Sequence, residues 1–307
     1  MSSPATTAIR FALLFCTLAA ALAAGPATAQ DEGKIEAVAS FSILGDFVRN
    51  VGGDRVEVTT LVGPNGDAHV YSPAPGDAKK LAAANIVVVN GLGLEGWMTR
   101  LVQASGTKAP VVVASKGITA RNVADADRPG RIVTDPHAWQ SVANAKIYVA
   151  NIRDGLIAID PAGKATYEAN ATAYLAQLDQ LETDVRAAIA QIPADRRKVI
   201  TTHDAFGYFG DAYGMAFIAP EGVSTESEPS AKDFAKIITQ IRRQKIPAVF
   251  MENISDPRLM QQIGRETGAA MGGALYSDAL SAPAGPAPTY IAMIRHNVWE
   301  FTAALSG

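Results

Sequence analysis

Four histidines and one cysteine stand in a chain of 307 residues, so chemistry that needs imidazole or thiolate has few places to occur. Three of the histidines follow strand-like runs or lie in loops rich in Pro and Gly. His69 sits in Asn-Gly-Asp-Ala-His-Val-Tyr-Ser-Pro, His137 in Thr-Asp-Pro-His-Ala-Trp, and His203 in Val-Ile-Thr-Thr-His-Asp-Ala-Phe. Asp278, in Leu-Tyr-Ser-Asp-Ala-Leu, follows a strand-like run in the same way. Open α/β sheets bind ligands outside the carboxyl ends of their strands. Three imidazoles and one carboxylate would form a tetrahedral set of nitrogen and oxygen donors, which suits Zn2+. Spacing alone does not bring them together. The intervals are 68, 66 and 75 residues, no short pair such as His-x-x-x-His exists, and a lone loop histidine is equally a solvated surface residue. Each histidine also has a carboxylate one or two positions away: Asp67, Asp135 and Asp204. Such acids orient ligand imidazoles in metal sites, and they are equally compatible with ordinary solvated loops.

The start of the chain bears on where this chemistry would take place. Arg10 precedes the apolar run from Phe11 to Ala24; Gly25-Pro26 then breaks the helix, and Ala27-Thr28-Ala29 offers small residues before Gln30. That order predicts a secretory signal over residues 1–29, cleaved after Ala29. The run is short of the ~20 residues that span a bilayer. Cys16 lies inside it with no small-residue lipobox before it, so no lipid is expected there. The rest of the chain then has no thiol, forms no disulfide even where the compartment permits one, and must hold any metal through His, Asp or Glu. Lys and Arg number 27 against 30 acidic residues, for a net charge of −3. With no basic cluster, a nucleic-acid partner is excluded.

The elements that must position these residues alternate. Ile35–Phe41, Val56–Val62, Ile86–Asn90 and Pro110–Ala114 read as strands; Ile43–Val51, Pro75–Ala84 and Leu94–Ala104 read as helices between them. Such alternation implies βα units and a parallel sheet. The same pattern resumes later, with strands at Lys198–Thr202, Met215–Ala219, Ala248–Met251 and Ala274–Tyr276. Helices are expected from Asp204, over Ser230–Gln244 and Pro257–Thr267, and over Thr289–Leu305. Between the two blocks, Ala162–Ile192 has no Pro and no Gly after Gly163. Tyr174, Leu175, Leu178, Leu181 and Val185 recur there at helical spacing. One helix of about 30 residues, ~45 Å long, is too long for one small α/β domain and could join two.

Four segments, Gly66–Asp77, Thr134–Trp139, Thr202–Phe209 and Tyr276–Leu280, together resemble the metal-binding solute-binding proteins of zinc/manganese ABC importers, cluster A-I. Ser224–Asp233 and Val249–Asn253 are also similar. The resemblance covers nearly the whole chain after the leader. It implies two α/β lobes with parallel sheets, residues 30–160 and 194–307, joined by one long helix within 161–193, with the metal buried in the cleft between them. It puts the ligands on His69, His137, His203 and Asp278. It further implies a periplasmic protein, monomeric and not an enzyme, that captures Zn2+ and hands it to the membrane permease of an ABC importer. Manganese-type members commonly carry Glu where this chain has His203, and a third imidazole favours zinc because Mn2+ prefers oxygen donors. A member that carries Mn2+ or Fe2+ is the alternative. This chain departs from many zinc-type members in one respect: its loop Ala120–Arg131 is short and without histidine, so accessory sites there are not expected. An exported zinc hydrolase would leave one metal position to water, yet no His-Glu-x-x-His or nucleophile constellation is present. His296 lies mid-helix and matches no ligand of the family, which leaves it a surface or packing role. Glu226 and Glu228 are expected near the cleft or on a surface that meets the permease.

Overall fold

β1 (Ile35–Phe41), α1 (Ser42–Gly52), β2 (Val56–Val62), α2 (Pro75–Ala83), β3 (Ile86–Val89), α3 (Met98–Ser105) and β4 (Val111–Val113) form the first α/β block. Its strands are parallel in the order β2-β1-β3-β4. The computed structural model describes residues 33–306 apart from 126, 127, 129 and 228. The leader expected over residues 1–29 lies outside the described residues. All four residues of β3 are buried, which is why that strand reads as an unbroken Ile-Val-Val-Val run, the mark of a strand covered on both faces. α3 begins four residues later than its apolar pattern suggests. The Glu95 carboxylate accepts the backbone N–H of Asn90 at 2.6 Å and of Gly91 at 3.2 Å, and so closes a turn where a helix would have started.

The segment expected to be a loop, Ala120–Arg131, contains β5 (Asn122–Ala124), which pairs antiparallel with β6 (Ile132–Thr134) just beyond it. Strands of three residues carry too little alternation to stand out. α4 (Val142–Ile159) follows, with the Ser141 hydroxyl accepting the Asn144 N–H at its N-terminus. The long helix is α5 (Lys164–Ala190), 27 residues, or ~40 Å at 1.5 Å per residue. Its buried residues, Tyr167, Ala171, Tyr174, Leu178, Leu181, Val185 and Ile189, recur every three or four positions and so form one stripe. α4 and α5 pack against each other and both against α1.

β7 (Lys198–Ile200), α6 (Gly207–Tyr213), β8 (Ala216–Ile218), α7 (Ala231–Gln244), β9 (Ala248–Glu252), α8 (Pro257–Thr267) and β10 (Ala270–Leu275) build the second block. This sheet is also parallel, in the order β10-β9-β7-β8. α7 starts with the Ser230 side chain accepting the Asp233 N–H, and the Ser230 hydroxyl lies against the Asp233 carboxylate. β10 is longer than expected because Gly272 and Gly273 hide its start. A Cβ at Gly272 would lie 2.1 Å from the Phe250 ring, so the aromatic on β9 requires glycine there.

α9 (Tyr290–Leu305) closes the described chain. It returns to α5 and α1, and the buried Asp46 carboxylate on α1 accepts its first N–H, at Tyr290, at 2.9 Å. The two lobes therefore share one main core, which runs from Val38 on the first sheet through Leu178 on α5 to Phe250 and Phe301. A smaller apolar cluster, Ile200, Ile237, Ile241, Ile246, Val249, Met260 and Ile263, lies between the second sheet and α7 and α8.

Candidate metal centre

Four loops bring the four candidate side chains to one point. His69 follows β2, His137 follows β6, His203 follows β7 and Asp278 follows β10. His137, His203 and Asp278 are wholly buried, and His69 is 7% exposed. One donor atom from each lies within 4.8 Å of all the others. The Nε2 atom of His137 is 3.2 Å from that of His69 and 3.3 Å from that of His203. Asp278 reaches all three rings: 3.0 Å to His69, 3.5 Å to His137 and 3.3 Å to His203.

Two of the three rings have a carboxylate at the nitrogen that faces away from this point. His137 Nδ1 donates to Asp135 Oδ1 at 2.8 Å, and that oxygen also accepts the His137 backbone N–H at 3.0 Å. Asp135 is anchored in turn by Arg121, whose Nη1 lies 3.0 Å from Oδ2. The guanidinium occupies the space where Gly207 lacks a side chain; a Cβ there would come within 2.3 Å of Arg121 Nη1. Glu252 Oε2 lies 2.6 Å from His203 Nδ1, out of line for a straight hydrogen bond. Its Oε1 accepts the backbone N–H groups of Thr202 and His203 at 2.8 and 3.0 Å. This is why β7 ends at Ile200 and not at Thr202: these amides turn to a carboxylate instead of to the sheet. A carboxylate behind the His137 and His203 rings favours the tautomer that leaves Nε2 free to donate to a cation.

Of the three acids singled out by nearness in sequence, only Asp135 orients a ring. Asp67 accepts the backbone N–H of His69 at 2.8 Å, and Asp204 gives its own backbone N–H to Gly222 O. The partner of His203 is Glu252, 49 residues away. Only the position of Glu252 at the end of a strand neighbouring β7 could have signalled this.

Asp278 comes from the second block, but much of its loop is fastened to residues that precede α4. The Ser277 carbonyl accepts both Trp139 Nε1 at 2.9 Å and Gln140 Nε2 at 2.8 Å. Leu280 N donates to Ser42 Oγ at 2.9 Å, and Leu280 O accepts Asn65 N at 2.9 Å. None of these links is visible in the sequence, because each joins residues more than 130 positions apart.

The electrostatics follow from the burial of opposite charges. Burial alone would lower the His137 imidazole, yet Asp278 and Asp135 override it and raise it to about 9. His203 is raised as well; burial opposes the shift, and Glu252 and Asp278 prevail. Burial opposes ionisation of Asp278, but the two imidazoles hold it well below the ordinary carboxylate range. Burial and the Asp135 charge push Asp204 up. Convergent lone pairs and a carboxylate in a closed space call for positive charge at their centre, supplied by protons or by a cation.

His296 stands apart from the centre. Its Nε2 lies 2.9 Å from Ala274 O and its ring meets Tyr276 edge-on, a packing role. Glu226 is exposed and lines, with His69, a cavity of about 550 Å³ beside the centre. Glu228 lies outside the described residues.

Residues 37–304 match the family described as "Zinc-uptake complex component A periplasmic", ZnuA. The chain is 35% identical over 279 residues to the manganese-binding lipoprotein MntA of Halalkalibacterium halodurans, covering 91% of each chain. It is also 35% identical over 265 residues to the iron-binding protein YfeA of Yersinia pestis, covering 86% of this chain and 84% of that one. Among solved structures it is similar to the periplasmic zinc binding protein TroA of Treponema pallidum, with TM-score 0.83 and 31% identity over 90% of this chain and all of that one. With two parallel sheets, a long helix between them and a match spanning nearly all the described residues, the chain belongs to the ZnuA family of periplasmic metal-binding proteins, the solute-binding components that deliver metal to the membrane permease of an ABC importer.

Proposed function

We propose that this protein captures Zn2+ through His69 Nε2, His137 Nε2, His203 Nε2 and the Asp278 carboxylate, and releases it to its permease. The observation that carries the reading is the spacing of the donors. A tetrahedral ion with bonds of 2.0–2.1 Å sets its donors ~3.3 Å apart; the separations His69–His137, His137–His203, His69–Asp278 Oδ2 and His203–Asp278 Oδ2 lie between 3.0 and 3.3 Å, and the other Asp278 oxygen, Oδ1, is 3.5 Å from His137. Three neutral nitrogens and one oxygen match a borderline-soft ion better than Mn2+, which prefers oxygen. Four protein donors leave no position open for a reacting water, which supports a carrier and not a hydrolase. Residues 30–160 and 194–307 are proposed as the lobes that enclose the ion, with 161–193 between them, and a leader cleaved after Ala29 as the means of export.

The names of the manganese- and iron-binding relatives support a second reading, in which the same four residues carry Mn2+ or Fe2+. Native mass spectrometry of the protein from the periplasm, followed by competition titration with the three metals, separates the two. Zinc bound one to one and displaced by neither rival is the expected result. Preference for manganese or iron overturns the zinc assignment alone, and the absence of any bound metal overturns the site.

A further inference from the structure

The Asp-x-His turn occurs twice at the centre and is closed in two different ways. In both turns the aspartate Oδ1 accepts the backbone N–H of the histidine two residues on: Asp67 from His69 at 2.8 Å, and Asp135 from His137 at 3.0 Å. The second oxygen of Asp135 is held by Arg121 of the same lobe. The second oxygen of Asp67 is held across the cleft, where the Thr225 hydroxyl donates to Oδ2 at 2.6 Å. Thr225 lies on the connection between β8 and α7. Its neighbours Val223, Ser224 and Glu226 form one wall of the cavity beside the centre. Leu92 and Ile132 belong to the opposite side, and of the four candidate ligands His69 alone lines the space. One hydroxyl thus ties a wall of the route from solvent to the turn that presents the most accessible imidazole.

We propose that Thr225 is a positioning residue for His69, and that breaking its bond to Asp67 loosens the His69 turn and frees the cavity wall together when the ion leaves. The inference rests on the reading of His69 as a zinc ligand. A hydrogen bond to a carboxylate is stronger than one between neutral groups, and this one is half-buried at both ends. Its loss therefore registers in the rate of release.

The test uses the zinc-loaded exported protein, with release followed by stopped-flow mixing with a chromogenic chelator. Thr225→Val keeps the branched shape and removes the donor, and is expected to release zinc about tenfold faster than wild type. Thr225→Ser restores the hydroxyl and should stay within about twofold of wild type. Adding Thr225→Val to Asp67→Ala should speed release no further, because the partner is already gone. The melting temperature of metal-free Thr225→Val should equal that of metal-free wild type. Wild-type release from Thr225→Val, or release from Thr225→Ser as fast as from the valine variant, overturns the proposal while leaving the site intact. If His69→Ala binds zinc as wild type does, the ligand assignment fails and this inference falls with it.

Discussion

At the scale of single residues, the centre separates groups that donate from groups that only hold a donor. His203→Ala removes a proposed donor and should weaken zinc binding by at least about 100-fold, whereas Glu252→Gln should cost about 10–100-fold, the usual effect of disturbing a residue that orients a ligand. His296→Ala should leave affinity unchanged, since that ring meets Tyr276 and Ala274 O. Competition titration against a zinc chelator gives all three values, and equal losses in the first and third variants would remove His203 from the site. Proton competition provides a second check. An isolated imidazole yields its Nε2 to a metal above about pH 6.5, but Asp278 raises His137 to about 9, so a proton must still be displaced in the neutral range. Zinc affinity should therefore keep rising between pH 6.5 and 9. The metal-free protein should behave in the opposite sense. A raised imidazole contributes stability that is complete below its unfolded value of about 6.5 and is lost as the pH climbs through its folded value. Chelator-buffered titrations and melting curves at pH 6, 7.5 and 9 measure both, and an affinity that levels off at 6.5 would argue against a charged His137–Asp278 pair. The four proposed donors were singled out in the sequence through their loops and their resemblance to a family, and the fold brings them within 4.8 Å of one another. Glu252 was not, because nearness along the chain pointed to Asp204 and only the pairing of β7 with β9 brings the true partner close.

At the scale of elements, legibility followed the strength of the pattern. β3 and α5 were plain, one through continuous burial and the other through its three-and-four spacing. The hairpin of β5 and β6 was too short to show, and α4 was passed over although it is 18 residues long. Its buried positions, Val142, Ala145, Tyr148, Val149, Ile152 and Leu156, are interleaved with apolar residues such as Ile157 and Ile159, which blurs the contrast between faces. The stripe on α5 makes a graded prediction. Leu178 is fully buried, so Leu178→Ala should destabilise the metal-free protein by ~2–4 kcal/mol. Leu175 is one of the partly buried residues packed on the core, and Leu175→Ala should cost about half as much or less. Urea denaturation of both variants checks this, and equal losses would mean that α5 does not present a single buried stripe.

At the scale of the whole molecule, each proposed donor arrives on a different connection, so binding reports the complete fold. Zinc at 100 times its dissociation constant should add about 2.7 kcal/mol to the stability of the folded state. For a chain of this size that corresponds to a rise of about 5 °C in melting temperature, reversed by a chelator. Differential scanning fluorimetry of stripped protein with and without zinc measures it, and an unchanged melting temperature would argue against a buried four-donor site.

The intervals between the donors carry a consequence for the life of the carrier. An ion held by residues 69, 137, 203 and 278 closes three loops of 68, 66 and 75 residues in a chain that has no cysteine beyond Cys16. It acts as a removable staple. A disulfide persists when the chain opens; this staple does not, because the scattered donors of an opened chain have no shared geometry with which to keep the ion. Loading at 100 times the dissociation constant therefore cuts the population of opened molecules by about 100-fold, and delivery of the cargo restores it. A protease that attacks opened chains would then distinguish a full carrier from an empty one without recognising the metal at all, and clearance of the protein would track the supply of its cargo.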